Sequence, residues 1–349
     1  MSREDPAHAL IQALRREPHA GVPVWFMRQA GRYLPGYQRV RSRVDFLTLC
    51  KTPDLAAEVT LEPLETLGVD GVIIFSDILV PLEAMGLPVV FTERGPCMER
   101  PLSTAADIDA LRDPDPEEET GFVMEVIREV RRRVAGRVPV LGFAGAPWTL
   151  ACYALEGSPG RTFARAMRMV YEAPADLHRL LERIARTVGR YLKAQVAAGA
   201  QAIQLFDTWG GLLAAGAFEE LSLGYCRRVL EELDGCGVPR ILFIKGGGMH
   251  LEALAATGVE AIALDPMTDP RRAREAVRGR AALGGNLPPE ALFEPVGELR
   301  ARARRLLDLF AGDAGYVFNL GHGILPGTPV DHVRAVVEEV HSHGKGTSP

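Results

Sequence analysis

Ala202-Ile203-Gln204-Leu205-Phe206 runs straight into Asp207-Thr208-Trp209-Gly210-Gly211, and that junction sets the reading of the chain. A short β-rich apolar run closed by polar and glycine residues reads as a buried strand ending in a loop. The same unit recurs at 22–27, 71–75, 138–143, 240–244, 260–264, 281–284 and 316–320, which makes eight runs in all. Between the runs lie segments with helical spacing. In 54–67, Leu61, Leu64 and Leu67 recur every third residue, and Pro63 predicts a kink or break. Segment 116–135 sets Val123, Val126, Ile127, Val130 and Val134 on one face. Segments 176–198, 219–233, 295–310 and 329–340 also read as helices, the last with Pro329 at its first position.

Eight strands alternating with helices predict an α/β fold, the (β/α)8 or TIM barrel, as a single catalytic domain over 1–344 with a flexible C-terminal tail at 345–349. A doubly wound open sheet is the alternative. Against it, no GxGxxG follows the first run. The nearest match is Gly321-His322-Gly323, whose next glycine, Gly327, comes one residue late, and no GxxxxGK[ST] loop occurs.

Composition narrows the class. The 349 residues carry 40 Lys and Arg against 45 Asp and Glu, a net charge of −5, which argues against a nucleic-acid binder. The most apolar stretch, 71–81, is interrupted by Asp77 and is far shorter than the ~20 residues of a membrane span. Residues 1–20 hold no apolar core of a secretory signal. Cys50, Cys97, Cys152, Cys226 and Cys236 are odd in number and never spaced CxxC, which predicts reduced thiols, a cytoplasmic location and no zinc framework.

In a barrel the active site is built at the C-terminal ends of the strands. Residues following the runs are, in order, Arg28-Gln29-Ala30-Gly31-Arg32, Ser76-Asp77, Ala144-Gly145-Ala146-Pro147-Trp148 with Thr149 and Tyr153, Asp207-Thr208, Lys245-Gly246-Gly247-Gly248, Asp265, Asn286 and Gly321-His322-Gly323. Polar and glycine residues crowd the same end of every run, the pattern of a catalytic face. Arg28 and Arg32 beside Gly31 read as anion binders rather than surface arginines. Asp77 breaks an apolar run, and it is either a strand-end cap or a functional carboxylate. Tyr153 is a core aromatic or a polar contact, and Thr208 and Asp207 are helix caps or site residues. His322 between glycines points to a nearby ligand. The triple glycine 246–248 cradles an anion or only turns the chain. His178, His250 and His332 read as structural. HExxH, GxSxG and a His-x-Cys zinc pair are all missing from the sequence.

Two long stretches resemble the signatures of the uroporphyrinogen decarboxylase family. They are Pro23-Val24-Trp25-Phe26-Met27-Arg28-Gln29-Ala30-Gly31-Arg32-Tyr33-Leu34-Pro35 and Gly142-Phe143-Ala144-Gly145-Ala146-Pro147-Trp148-Thr149-Leu150, the latter running on to Tyr153 and Glu156-Gly157. Phe75-Ser76-Asp77-Ile78-Leu79 and Asn319-Leu320-Gly321-His322-Gly323 are similar to it as well. The resemblance implies a cofactor-independent barrel, usually a homodimer, that decarboxylates the four acetate side chains of uroporphyrinogen III to give coproporphyrinogen III in haem biosynthesis. Carried over, Arg28 and Arg32 bind carboxylates, with Gln29, Ala30 and Gly31 lining the same pocket. Arg41 and Phe46 are further pocket residues, Asp77 binds the pyrrole N–H groups, and Tyr153, Thr208 and His322 complete the substrate contacts. Asp77 and Arg28 are the catalytic pair, and the proton donor is left open, since a guanidinium with a pKa above ~12 is a poor acid.

This chain differs from the family pattern at Thr208, where Ser is common, at Gly284-Gly285-Asn286-Leu287-Pro288, and at Asp265-Pro266, which lacks a following tryptophan. The rival reading is a zinc-dependent corrinoid or thiol methyltransferase, whose His-x-Cys would fall at Phe243-Ile244-Lys245. A barrel that only binds tetrapyrroles would keep the arginines without needing Asp77.

Overall fold

The computed structural model describes residues 7–92, 95–157 and 162–343. The tail expected at 345–349 and both ends of the 1–344 domain lie outside the described residues. Seven of the eight apolar runs carry strands. These are β1 (Val72–Ile73), β4 (Val140–Gly145), β5 (Ala202–Asp207), β6 (Arg240–Ile244), β7 (Ala261–Ala263), β8 (Ala282–Gly284) and β9 (Tyr316–Val317), with β2 (Val89–Thr92) and β3 (Gly95–Met98) forming a separate hairpin. The seven lie parallel in the order β1-β4-β5-β6-β7-β8-β9. Each step is to the next neighbour, with Leu141 facing Ala202 and Ile203 facing Arg240. Their residues are buried nearly throughout, as expected of parallel strands covered on both faces.

Of the eight expected strands, seven form the sheet among the described residues. The first run, 22–27, makes a single parallel bridge from Val24 to Phe318. Pro23 has no N–H to give, and the Val24 N–H is taken by the Asp70 carboxylate at 2.7 Å. The run still touches residues beside both edge strands. Trp25 N–H donates to Phe318 O (3.3 Å), Phe318 N–H to Pro23 O (2.9 Å), and Asp70 N–H to Val24 O (2.7 Å).

The sheet is curled, and side chains that meet across it show which face lies inside. Phe143, Phe206 and Phe243 project from β4, β5 and β6 with ring centroids 5.8 and 5.9 Å apart. Phe243 also meets the His322 ring at 5.8 Å, although His322 follows β9, three strands away. Gln204 Nε2 reaches Met27 Sδ of the first run at 3.5 Å, again across the sheet.

Several helices depart from expectation. Pro53–Leu67 is unbroken despite Pro63, whose ring is buried in the packing against the core. Segment 116–135 divides at Thr120 into Pro116–Glu119 and Gly121–Val134, yet its predicted apolar face is buried as expected. Segment 219–233 opens with a wide π-helical turn, Phe218–Leu223, before Gly224–Glu232. Pro329 caps Val330–Ser342 from one residue outside it. Among the described residues no helix is long and apolar enough to cross a membrane.

Candidate functional site

The C-terminal ends of the strands meet above the phenylalanine floor. Side chains in a strand alternate between faces. By that period Thr208 and Lys245 follow Phe206 and Phe243 on the inner side. Asp207, between them, turns the other way. It is fully buried and accepts from Thr149 Oγ1 at 2.5 Å and Ser222 Oγ at 2.6 Å. Thr149 Oγ1 in turn accepts the Trp209 N–H at 3.1 Å. Burial raises the Asp207 pKa against the pull of these donors. Asp207 is thus the hub that holds the loop after β5, a role its sequence position as a possible helix cap did not reveal.

The first loop is held just as firmly. The Gln29 side chain is buried, accepting from Phe26 N–H and donating to Gly71 O, both at 2.9 Å. Its amide therefore ties the loop to the start of β1 and is not free to line a pocket. Tyr33 OH donates to Gln29 O at 2.9 Å, and Ala30 is buried beside it. With that frame fixed, Arg28 takes a left-handed backbone (φ 58°) and an exposed position. Gly323 packs against the Arg28 side chain so closely that any Cβ would strike its Cγ and Cδ. Gly31 stands over the Arg28 carbonyl, where a Cβ would be only 3.1 Å away. Arg32 is exposed at the loop's outer edge.

Around this loop the charges converge. Asp77 follows β1, and its Oδ1 accepts the Leu79 N–H at 2.9 Å. Asp77 shares a small cavity of about 10 Å³ with Leu79, Val80, Val89, Phe91 and Phe122. The residue as a whole is half-buried, but its carboxylate is desolvated, and its pKa rises to about 6 despite the Leu79 bond and nearby Arg28. The Tyr153 hydroxyl is pushed up to about 12, first by burial and then by Asp77, with Arg28 opposing. His322 moves the other way, down to about 4, because burial, Arg28 and Lys245 all disfavour its cation. Its Nδ1 accepts the Gly323 N–H at 2.8 Å, so the neutral ring carries its proton on Nε2 as a donor. The charge of Arg28 thus reaches Asp77, Tyr153 and His322 alike.

The other expected residues make contacts of their own. Arg41 is half-buried and donates to Val44 O. Phe46 packs its ring 5.6 Å from Phe75 and 4.3 Å from Phe91. Thr208 has no hydrogen-bond partner among the described residues. The triple glycine turns the chain, with Gly246 in a left-handed conformation (φ 81°) and its N–H donating to Asp265 Oδ2 at 2.6 Å. Asn286 Nδ2 ties the two loops that differ from the family pattern, donating to Asp265 O (2.8 Å) and Thr268 O (2.7 Å). His178 bonds Tyr225 and Glu220, His250 stacks on Phe218 at 4.0 Å, and His332 bonds Leu292 O. Among the described residues no three His, Cys, Asp or Glu side chains gather where they could hold a metal ion.

Known proteins place the chain. A relative named uroporphyrinogen decarboxylase from Burkholderia pseudomallei (strain 668) is 50% identical over 346 residues, 96% of this chain and 95% of its own. Another of that name, from Thioalkalivibrio sulfidiphilus (strain HL-EbGR7), is 49% identical over 341 residues, 96% of this chain and 97% of its own. A solved structure described as a methyltransferase from Methanosarcina mazei superposes with a TM-score of 0.81, covering 95% of this chain and 97% of its own. At 23% identity that likeness concerns the fold alone. The family model for uroporphyrinogen decarboxylase (URO-D) matches residues 5–343, and with half the aligned positions identical to relatives of that name, the chain belongs to the uroporphyrinogen decarboxylase family.

Proposed function

We propose that this chain decarboxylates the four acetate side chains of uroporphyrinogen III, yielding coproporphyrinogen III, with no metal or organic cofactor. The reading is supported by Asp77 just beyond β1, by His322 over the inward ring of Phe243, and by Gly323 beside it packed on the Arg28 stem, with the charge of Arg28 reaching Asp77, Tyr153 and His322. An anionic macrocycle calls for cations at its rim and a carboxylate for its central N–H groups. Both are present, although the whole chain is net negative.

A simple acetate does not lose CO2, because the electrons left behind have no acceptor. Protonation of the pyrrole α-carbon makes a ring cation. The bond to the carboxyl carbon then breaks, CO2 leaves, and the electron pair neutralises the ring. Proton uptake at the new methylene and loss of the α proton leave a methyl group, so each turn consumes one proton net. The substrate thereby supplies the sink that pyridoxal phosphate supplies elsewhere. Asp77, ionised against the pyrrole N–H groups, stabilises the ring cation. Arg28 and Arg32 hold carboxylates, and Tyr153 OH and His322 Nε2–H donate hydrogen bonds as neutral groups. Thr208 adds a hydroxyl to the same wall, while Ala30, Gly31, Arg41 and Phe46 shape the mouth beside the first loop.

The proposal includes a closed (β/α)8 barrel as a single catalytic domain. It is supported by the bonds of run 22–27 to residues beside both β9 and β1. It includes a homodimer meeting at the mouth. Leu212, Met249 and Met267 are 44%, 77% and 75% exposed there, on three loops that pack against one another through Gly211 and Gly248. It includes a cytoplasmic location, in keeping with the unpaired thiols of Cys50, Cys152 and Cys226.

The test is anaerobic incubation of the full chain with uroporphyrinogen III and a chelator, with products oxidised and separated by carboxylate number. Stepwise passage from eight carboxylates to four is the expected result. A folded protein that leaves the substrate untouched refutes the reading.

A further inference from the structure

We propose that Lys245 is a carboxylate-binding residue of this site, its ammonium receiving a side-chain carboxylate of the macrocycle on the wall across from Arg28. The inference rests on the proposed activity and assigns a part to a residue that the sequence sets at the catalytic face without a role of its own.

Four observations carry it. Lys245 is the first residue beyond β6, at the end of the sheet where Arg28, Asp77 and His322 meet. Two residues earlier Phe243 faces inward onto the His322 ring at 5.8 Å, and the strand period sets Lys245 on that same side, one step nearer the mouth. Its side chain is exposed and joins no ion pair among the described residues. Its backbone, by contrast, is fixed. Lys245 N–H donates to Asp207 O at 3.1 Å, and its carbonyl accepts from Gly211 N–H at 3.0 Å. An anchored backbone below a free ammonium is how a cation is held ready for a ligand.

Nearby acids form no ion pair with it among the described residues. Asp265 spends both oxygens on Gly246 N–H and Thr268 Oγ1. Glu290 is exposed near the same histidine, with no ion pair to Lys245 among the described residues. Arg28 stands beside the edges of the sheet, whereas β6 is its middle strand. Both cations act on His322. A substrate with carboxylates around its whole rim fits cations on opposed walls, one a planar fork and one a point charge.

The experiment compares the wild-type full chain with Lys245→Met and Lys245→Arg. Kinetics use uroporphyrinogen III. Binding uses oxidised uroporphyrin III, followed by fluorescence quenching, so affinity is read without turnover. Lys245→Met should raise KM and Kd about ten-fold or more, the loss of one charged hydrogen bond, with kcat changed far less. Lys245→Arg should recover most of the affinity. The His322 pKa, followed by NMR of labelled histidine, should move up in Lys245→Met once the neighbouring cation is gone. If Lys245→Met does not fold, Lys245→Gln carries the same test.

Unchanged KM and Kd in a folded variant overturn the inference, as does a wild-type chain that fails to bind the porphyrin. A wild-type chain that binds but does not decarboxylate refutes the proposed activity, and the ratio of Kd values still decides the case for Lys245.

Discussion

Asp77→Asn should make the protein more stable and nearly inactive, and the two effects can be sized separately. The substitution keeps the side-chain shape and an oxygen to accept the Leu79 N–H. What it removes is a charge that the fold disfavours. Asp77 rises from 3.8 to about 6, roughly two units, and at about 1.4 kcal/mol per unit the ionised form costs about 3 kcal/mol of stability. Partial exposure of the residue brings that nearer to about 2 kcal/mol.

The sign is set by where the proton sits. Between pH 3.8 and about 6 the folded chain keeps a proton that the unfolded chain has lost, so wild-type stability falls as pH rises through that window. The variant has no such fall. Its advantage is full above pH 6 and vanishes towards pH 4. Catalysis goes the other way. Without the carboxylate the ring cation loses a preorganised partner, and by comparison with single oxyanion-hole donors kcat should drop about 10²–10³-fold. Urea unfolding at pH 7.5 and at pH 4.5 measures the first effect, and product analysis by carboxylate number measures the second. A variant less stable than wild type at pH 7.5, or one keeping a tenth of wild-type kcat, would refute the reasoning.

Gly323→Ala places a Cβ against the Arg28 stem, so the guanidinium must move, and KM for uroporphyrinogen III should rise about ten-fold in a protein that still folds by circular dichroism. Thr149→Val strips one hydroxyl from buried Asp207 and an acceptor from Trp209 N–H; urea titration should show a loss of about 3 kcal/mol, largely restored in Thr149→Ser. His322, held neutral by burial and two cations, should titrate near 4 by NMR, so the acid limb of kcat/KM near pH 6 belongs to Asp77 and disappears in Asp77→Asn.

Strands such as 202–206 and 240–244 were legible because a strand buried on both faces needs apolar side chains at nearly every position. The first run had that composition too. Its pairing was settled by Pro23 and by a carboxylate 46 residues away, neither of which an apolar pattern registers. The hairpin β2–β3 went unread because Gly95-Pro96 lies within it, a pair that ordinarily argues against a strand. Pro63 was read as a breaker, yet burial of its ring stabilises the helix around the missing bond.

Within the proposed site, the crowding of polar residues at one end of every run points to the mouth, and the motif positions point to Arg28, Asp77, Tyr153 and His322. The role of Gln29 was not visible, because a buried amide that staples a loop and one that meets a ligand have the same sequence neighbours. Lys245 had a signal that was available and unused. It lies two residues beyond an inward phenylalanine, and period two predicts its side.

The cations around the mouth, in no ion pair among the described residues, also bear on how a ligand leaves. Each acetate that departs as CO2 becomes a neutral methyl group, so the macrocycle sheds negative charge at every step while Arg28, Arg32 and Lys245 keep theirs. Attraction is greatest for the arriving octacarboxylate and weakest for the tetracarboxylate. On the proposed reading, the guanidinium and ammonium groups that capture the substrate loosen their hold as the reaction proceeds. Fresh substrate, carrying more negative charge, should then outcompete finished product for the mouth.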